Sequence, residues 1–402
     1  MDSLLIKNFV NDIEQELQDN ILEFWIKHSV DNDNGGFHGF ISDDLKIDKK
    51  HQRASVLFSR ILWTYSTAYR FYKDDKYLAM ADRAYDYINR YFIDTHYSGV
   101  YWLLDYTGNV IDSKKQTYAI AFAIYGMSEY FRATGKAESL ETAIQLYNTL
   151  EKHVYDSVNK GYMEACSRDW SNLGDMSLSQ KDMNSAKSMN THLHVMEAYT
   201  NLFRVWKDES LKNSLEELIK VTIDHIIDPE AFQFKLFFDE TWKPLSHTVS
   251  FGHDIEGSWL LLEAAEVLGN AALVNKVKDI STNMAKKVFD SGVDRINGGL
   301  FYEEDKGELV SDKDWWPQAE AVVGFVNAYQ LSGEEFYLEA ALNMWNFIKN
   351  HIVDKIHGEW FWGTSADGSV VTRNEKVGPW KCPYHNSRMC YEIIDRLTGL
   401  KQ

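Results

Sequence analysis

Apolar residues recur at every third or fourth position through 56–72, 76–92, 117–133, 138–153, 191–206, 210–227, 255–267, 271–289, 318–331 and 335–351, the spacing of amphipathic helices. Between these stretches a second pattern returns: an apolar residue, an aspartate, a glycine-centred turn and an aromatic. Its aspartates are Asp31, Asp94, Asp156, Asp228, Asp290 and Asp354, spaced by 63, 62, 72, 62 and 64 residues. Five of the six lead into GGFHG (35–39), GVYW (99–102), GYMEA (161–165), GGLFYE (298–303) and GEWFW (358–362). The fourth runs into FQFKLFF (232–238), which keeps the aromatics and loses the glycine. Alternating Phe232, Phe234, Leu236 and Phe238 suit a short hairpin, so strands are expected only in these connecting pieces.

Self-similarity at a near-constant period signals a repeat architecture, and each repeat here spans two helices. Six helix pairs, none able to bury its apolar face alone, form either an open superhelix or a closed ring. Neither end of the chain reads as a polar capping repeat, which favours closure. The expectation is an all-α fold: a single (α/α)6 barrel of six inner and six outer helices over residues 1–402, with short β-hairpins in the loops.

Composition narrows the function classes. With 45% hydrophobic and 25% charged residues and no Pro/Gly/Ser-rich divider, 402 residues can bury one large core. No run approaches the roughly 20 apolar residues of a membrane span, and the first residues lack a signal-peptide pattern, so a cytoplasmic protein is expected. Cys166, Cys382 and Cys390 show no paired spacing and read as reduced buried thiols. A net charge of -18 opposes phosphate binding, which excludes nucleic acid as the expected partner. Aromatics make up 14% of the chain, and flat rings with polar edges suit sugars as well as cores.

Six segments deliver a polar or aromatic group about 24 to 38 residues after each aspartate, where the second helix of each pair begins. They supply Arg60 in SRILW, Tyr118 in QTYAIAF, Asn190 and His194 in MNTHLH, His253 and Glu256 in FGHDIEG, Trp315 and Trp316 in DWWPQAE, and His385 in GPWKCPYHNSRM. Singly, each has a plain structural role: an ion pair for the arginine, a hydrogen-bonded core site for each histidine, packing for the tryptophans. Three histidines at corresponding repeat positions point instead to acid–base chemistry. Consecutive tryptophans cannot share one core face, so one is expected to line a cavity. On a helix His192 and His194 diverge by about 200°, which argues against a shared metal ion. Asn190 with His194 (i, i+4) and His253 with Glu256 (i, i+3) do share faces, and the second pair is expected to orient its imidazole. With no phosphate loop and no GxSxG, neither a cofactor nor a metal is expected.

At these residues the chain strongly resembles the cellobiose 2-epimerases of the N-acylglucosamine 2-epimerase superfamily. The matching segments are NGGFHG (34–39), SRILW (59–63), KDMNSAKSMNTHLHVMEAYTNL (181–202), LSHTVSFGHDIEGSWLL (245–261), DWWPQAEAVVGF (314–325), GEWFW (358–362) and GPWKCPYHNSRMC (378–390). The resemblance implies an (α/α)6 barrel that epimerises C2 of the reducing-end sugar in β-1,4-linked disaccharides, converting cellobiose to glucosyl-mannose and lactose to epilactose. It implies catalytic roles for His194, His253 and His385, and sugar-binding roles for Arg60, Tyr118, Asn190 and Glu256. Trp316 and Trp380 resemble the family's aromatic walls, and Asp182 its contact to the second sugar. Phe58 departs from the asparagine frequent in the family; reaching the cavity, it would make a drier pocket. The chemistry expected is proton abstraction beside a carbonyl through a 1,2-enediolate, with a small sugar as the partner and a monomer or homodimer as the assembly.

Other readings stay open at this level. A monosaccharide 2-epimerase or an aldose–ketose isomerase would use the same scaffold. Glycoside hydrolysis would need two opposed carboxylates, for which Glu256, Glu320 and Asp254 are available. A non-catalytic sugar-binding protein would explain the aromatics and leave the histidines idle.

Overall fold

The computed structural model describes residues 3–371 and 375–399. Six inner helices stand around a common axis: α3 (Ser55–Tyr72), α5 (Thr117–Thr134), α7 (Met189–Val205), α9 (Phe251–Leu268), α11 (Trp315–Ser332) and α13 (His385–Thr398). The outer layer holds α4 (Asp75–Tyr87), α6 (Ala137–His153), α8 (Glu209–Val221), α10 (Ala271–Ser291) and α12 (Glu335–Phe347). Its sixth member is built from α1 (Ser3–Gln15) and α2 (Glu23–His28), joined by the π-helical stretch Glu16–Leu22. The expected (α/α)6 barrel is therefore present. Three further outer helices, α4, α8 and α12, also end in a π-helical turn, at Ile88–Phe92, Thr222–Ile226 and Ile348–Ile352. Among the described residues no helix is long and apolar enough to cross a membrane.

Inner helices are buried on almost every side, so α9 and α11 show little amphipathic contrast and begin earlier than periodicity placed them. The ring closes between α13 and α3. There Tyr391 donates to the Thr64 carbonyl at 3.2 Å and Thr64 Oγ1 donates to the Pro383 carbonyl at 2.9 Å. A further backbone bridge joins Ile41 to Val377.

The repeat pattern has a structural meaning. Each outer helix ends in an aspartate turn whose flanking residues bridge: Val30 to Phe37, Ile93 to Val100, Tyr155 to Tyr162, Ile227 to Phe234, Val293 to Leu300 and Val353 to Trp360. Two successive residues of these turns adopt positive φ in five copies; in the fourth, Phe232 does so at 54° while Gln233 does not. That copy can lose its glycine because it asks for only one left-handed residue. A buried cation holds the aspartate, two residues before the inner helix for Arg53 on Asp31, Lys115 on Asp94 and Lys187 on Asp156, and nine before α13 for Lys376 on Asp354. In the fourth copy Val249 takes the cation's place, and Asp228 is only half-buried.

The fifth copy corrects the sequence reading. Asp290 lies within α10, half-exposed and paired to Lys286 one turn away, whereas Asp294 makes the turn and accepts from Lys313 Nζ at 2.8 Å. Both aspartates follow an apolar residue, so the pattern alone chose the wrong one. Replacing Asp294 by Ala leaves Lys313 buried without its partner and should cost about 3–5 kcal/mol of stability, while Asp290→Ala should stay within about 0.5 kcal/mol. Urea unfolding midpoints of the two variants check this; equal midpoints would restore Asp290 to the repeat.

Candidate active site

At the N-terminal end of the inner helices lies a cavity of about 640 Å³, a volume suited to a small ligand. The second and sixth residues of the inner helices, one helical turn apart, supply its floor. Tyr118, Asn190 and Trp316 hold second positions and Arg60, His194 and Glu256 sixth positions; Phe122 and Glu320, also at sixth positions, lie just behind this lining. His253 is the third residue of α9 and His385 the first of α13. Beneath them Trp63, Tyr125, Glu197 and Trp259 hold the ninth positions; Tyr384 packs against Trp63 and Tyr125 and donates to Glu197. All ten residues singled out in the sequence border the cavity: Arg60, Tyr118, Asp182, Asn190, His194, His253, Glu256, Trp316, Trp380 and His385. Trp315 and Trp316 both reach it.

Each histidine has its Nδ1 engaged by the protein, which leaves Nε2 available to a ligand. His194 Nδ1 meets Glu197 Oε2 at 2.9 Å, His253 Nδ1 meets Ser250 Oγ at 2.8 Å, and His385 Nδ1 meets Glu320 Oε1 at 2.7 Å. Two of these partners are gathered by one cation. Arg388, the fourth residue of α13 and fully buried, donates to Glu197, Glu256 and Glu320. Although burial opposes ionisation, Arg388, His194 and Tyr384 hold the Glu197 carboxyl down at about 2, so it is a carboxylate and His194 keeps a hydrogen on Nδ1. Glu320 moves the other way: burial, with Glu256 nearby, lifts it well above the carboxylate range despite Arg388. Burial pushes His253 down to about 4, and burial with Arg60 and Arg388 pushes His385 well below the usual histidine value. The His385–Glu320 contact therefore holds a single proton between two neutral-leaning groups.

Arg60 is buried without a carboxylate. Its guanidinium donates to Tyr118 Oη at 2.7 Å, contacts Cys382 Sγ at 3.7 Å and lies over the rings of Phe122 and Tyr384. A cation held this way favours negative charge developing nearby. The Trp316 ring stands between His253 and His385, at 4.6 and 5.5 Å between ring centres.

The sequence matches the N-acylglucosamine 2-epimerase (GlcNAc 2-epimerase) family over residues 35–388. The chain belongs to this family. A cellobiose 2-epimerase of Bacteroides fragilis is 45% identical over 385 residues, covering 95% of this chain and 98% of the relative. One from Ruminococcus albus is 41% identical, covering 96% and 98%. The solved structure of cellobiose 2-epimerase from Bacillus thermoamylovorans superposes with a TM-score of 0.93 at 39% identity, covering 97% of this chain and 100% of that one. The protein is thus a carbohydrate epimerase, an isomerase, on an (α/α)6 barrel.

Within this epimerase, one sequence expectation changes. Glu256 does not orient His253; it accepts from Arg388, and Ser250 at the helix start takes the imidazole. His194 is oriented by Glu197, three residues on. Phe58, the fourth residue of α3, is fully buried on the outward face and stacks on Tyr87, so it does not touch the cavity. Its counterparts in α7, α9 and α11 are His192, Asp254 and Gln318, which accept the bridge amides of Tyr162, Phe234 and Leu300. His192 therefore faces away from His194, as the helix geometry required. The residues missed were Glu197, Arg388, Tyr384 and Ser250; of these only Glu197 carried a signal, its i+3 spacing from His194.

One trio, Glu256, Glu320 and His385, brings potential metal ligands within 4.8 Å of one another among the described residues. Arg388 already donates to both carboxylates, so a cation occupies the charge a metal would need. The low values of His253 and His385 set the pH behaviour. Their neutral, base-competent form persists below the ordinary histidine value of 6.5; His253 loses it only as pH falls toward about 4, and burial with Arg60 and Arg388 likewise keeps His385 neutral well below the ordinary value. The acid limb of kcat/KM should accordingly lie well below 6.5 in a pH–rate profile; a limb centred at 6.5 would contradict this assignment.

Proposed function

We propose that this epimerase inverts C2 of the reducing-end sugar of β-1,4-linked disaccharides, converting cellobiose to glucosyl-mannose and lactose to epilactose. One observation carries the reading: three imidazoles with tethered Nδ1 atoms share a cavity with a buried arginine that lacks a carboxylate partner. The names of its relatives supply the disaccharide. In support, Trp380 and Asp182 border both this cavity and the neighbouring groove beside Trp102 and Lys114, which offers room for a second ring.

The proposed reaction begins by opening the hemiacetal, with His194, braced by ionised Glu197, moving a proton between the C1 hydroxyl and the ring oxygen. The aldehyde so exposed acidifies C2–H. His253 or His385 removes that proton through Nε2, and Arg60 with Tyr118 stabilises the oxyanion of the 1,2-enediolate. The other histidine returns a proton from the opposite face. The His385–Glu320 pair suits both directions of the reaction. With the shared proton on Nδ1, Nε2 is a bare base; with it on Glu320, Nε2 keeps a hydrogen and is an acid. No metal or nucleotide is needed for any step.

Cellobiose, lactose, mannose and N-acetylglucosamine should be incubated with the enzyme and the products separated. Cellobiose and lactose should yield their C2 epimers, before and after treatment with a metal chelator. Trp380→Ala should lower kcat/KM for cellobiose about tenfold more than for mannose, since that ring acts on the second sugar. Conversion of mannose with cellobiose and lactose untouched would reject the disaccharide reading, and activity restored by one specific metal would reject the metal-free mechanism.

A further inference from the structure

The GYMEA segment holds a cavity residue to which neither the fold nor the proposed reaction gives a task. Glu164 is fixed through its backbone on both sides: its carbonyl accepts from the Thr117 amide at 3.0 Å and its own amide donates to the Ala186 carbonyl at 3.0 Å. The side chain is 3% exposed and borders the cavity beside Asn190, Ser185 and Asp182. Oε2 accepts from Thr191 Oγ1 at 2.8 Å, whereas Oε1 is buried and makes no close hydrogen bond, with only the hydroxyl and amide of Ser188 near the carboxyl. Asn190 Oδ1, on the same stretch of wall, is likewise buried without a donor.

Helix capping does not account for the free oxygen. Ser188 already caps α7 by accepting the Thr191 amide at 3.1 Å, and the Thr191 hydroxyl needs only one acceptor. Buried acceptors are almost always satisfied, and a carboxylate oxygen is among the costliest to leave bare. A donor supplied by the ligand resolves both orphans at once. We infer that Glu164 is a specificity-determining residue that accepts a hydroxyl of the bound sugar, with Asn190 Oδ1 accepting a neighbouring one. Burial lifts the Glu164 carboxyl to about 7, against the lowering effect of Ser188 and Thr191, so a bound hydroxyl donor favours its ionised form near neutrality. This assignment rests on the sugar-epimerase reading.

Glu164→Gln keeps the size of the side chain and an acceptor for Thr191. Losing a hydrogen bond to a charged acceptor should raise KM for cellobiose about 10- to 100-fold, with kcat changed less than about threefold. Thr191→Val, which removes only the hydroxyl that Oε2 holds, should lower the melting temperature and leave KM within about twofold. On a set of monodeoxy cellobioses, the parent and Glu164→Gln should have equal kcat/KM for the one analogue that lacks the recognised hydroxyl. Unchanged KM in Glu164→Gln, an equal KM rise in Thr191→Val, or the same loss on every deoxy analogue would overturn the inference. If the parent converts mannose only, the same ratios are read with deoxymannoses. A parent inactive on every sugar overturns the epimerase reading itself, whereas an active parent with an unaffected variant overturns only the role of Glu164.

Discussion

The buried guanidinium of Arg388 is the contact on which the site depends. It rises from the last inner helix into the barrel axis and accepts the charge of Glu197, Glu256 and Glu320, which come from three other inner helices. Three carboxylates placed so deeply would not otherwise share one space. Because one cation cannot neutralise three anions, the set divides: Glu197 is held ionised and Glu320 is driven toward its protonated form. That division gives His194 and His385 unlike partners, and so unlike chemical tasks, although both imidazoles are tethered through Nδ1 to a glutamate.

The same arrangement explains where the aromatic residues go. Trp63, Tyr125, Trp259 and Tyr384 fill the axis below the histidines, and Arg388 lies over the rings of Trp259 and Tyr384. This layer packs beneath the charged cluster. A second group, Trp315, Trp316, Trp362 and Trp380, forms the walls above. Aromatic residues thus stand in two places, core packing and cavity lining, that a residue count cannot separate.

The repeat was legible because each copy must rebuild the same turn. Apolar bridge residues, left-handed turn positions and an aspartate leave marks within a few residues of one another, so six pairs of helices could be read directly. Asp290 and Asp294 both follow an apolar residue, but only Asp294 stands four residues before the first left-handed turn residue, as the aspartate does in every other copy, and only it meets Lys313. Six of the ten cavity residues hold second or sixth positions of inner helices, His253 and His385 lie within the first turn of theirs, and Asp182 and Trp380, outside these helices, came from the family resemblance alone. Their partners were not legible, since His385 and Glu320 lie 65 residues apart and Arg388 meets Glu197 across 191. Phe58, two residues before Arg60 on a helix, lies on the opposite face, where its counterparts hold the bridge amides.

The central claim is that two imidazoles act on C2 from opposite faces. Its direct test is exchange of the C2 hydrogen in D2O, followed by NMR, in the parent, in His253→Ala and in His385→Ala. Two bases predict deuterium at C2 of the product in the parent. Each single variant should then lose epimerisation while still exchanging the C2 hydrogen of only one epimer, a different epimer in the two variants. Product formed by the parent without deuterium, or loss of all exchange in both variants, would contradict the account.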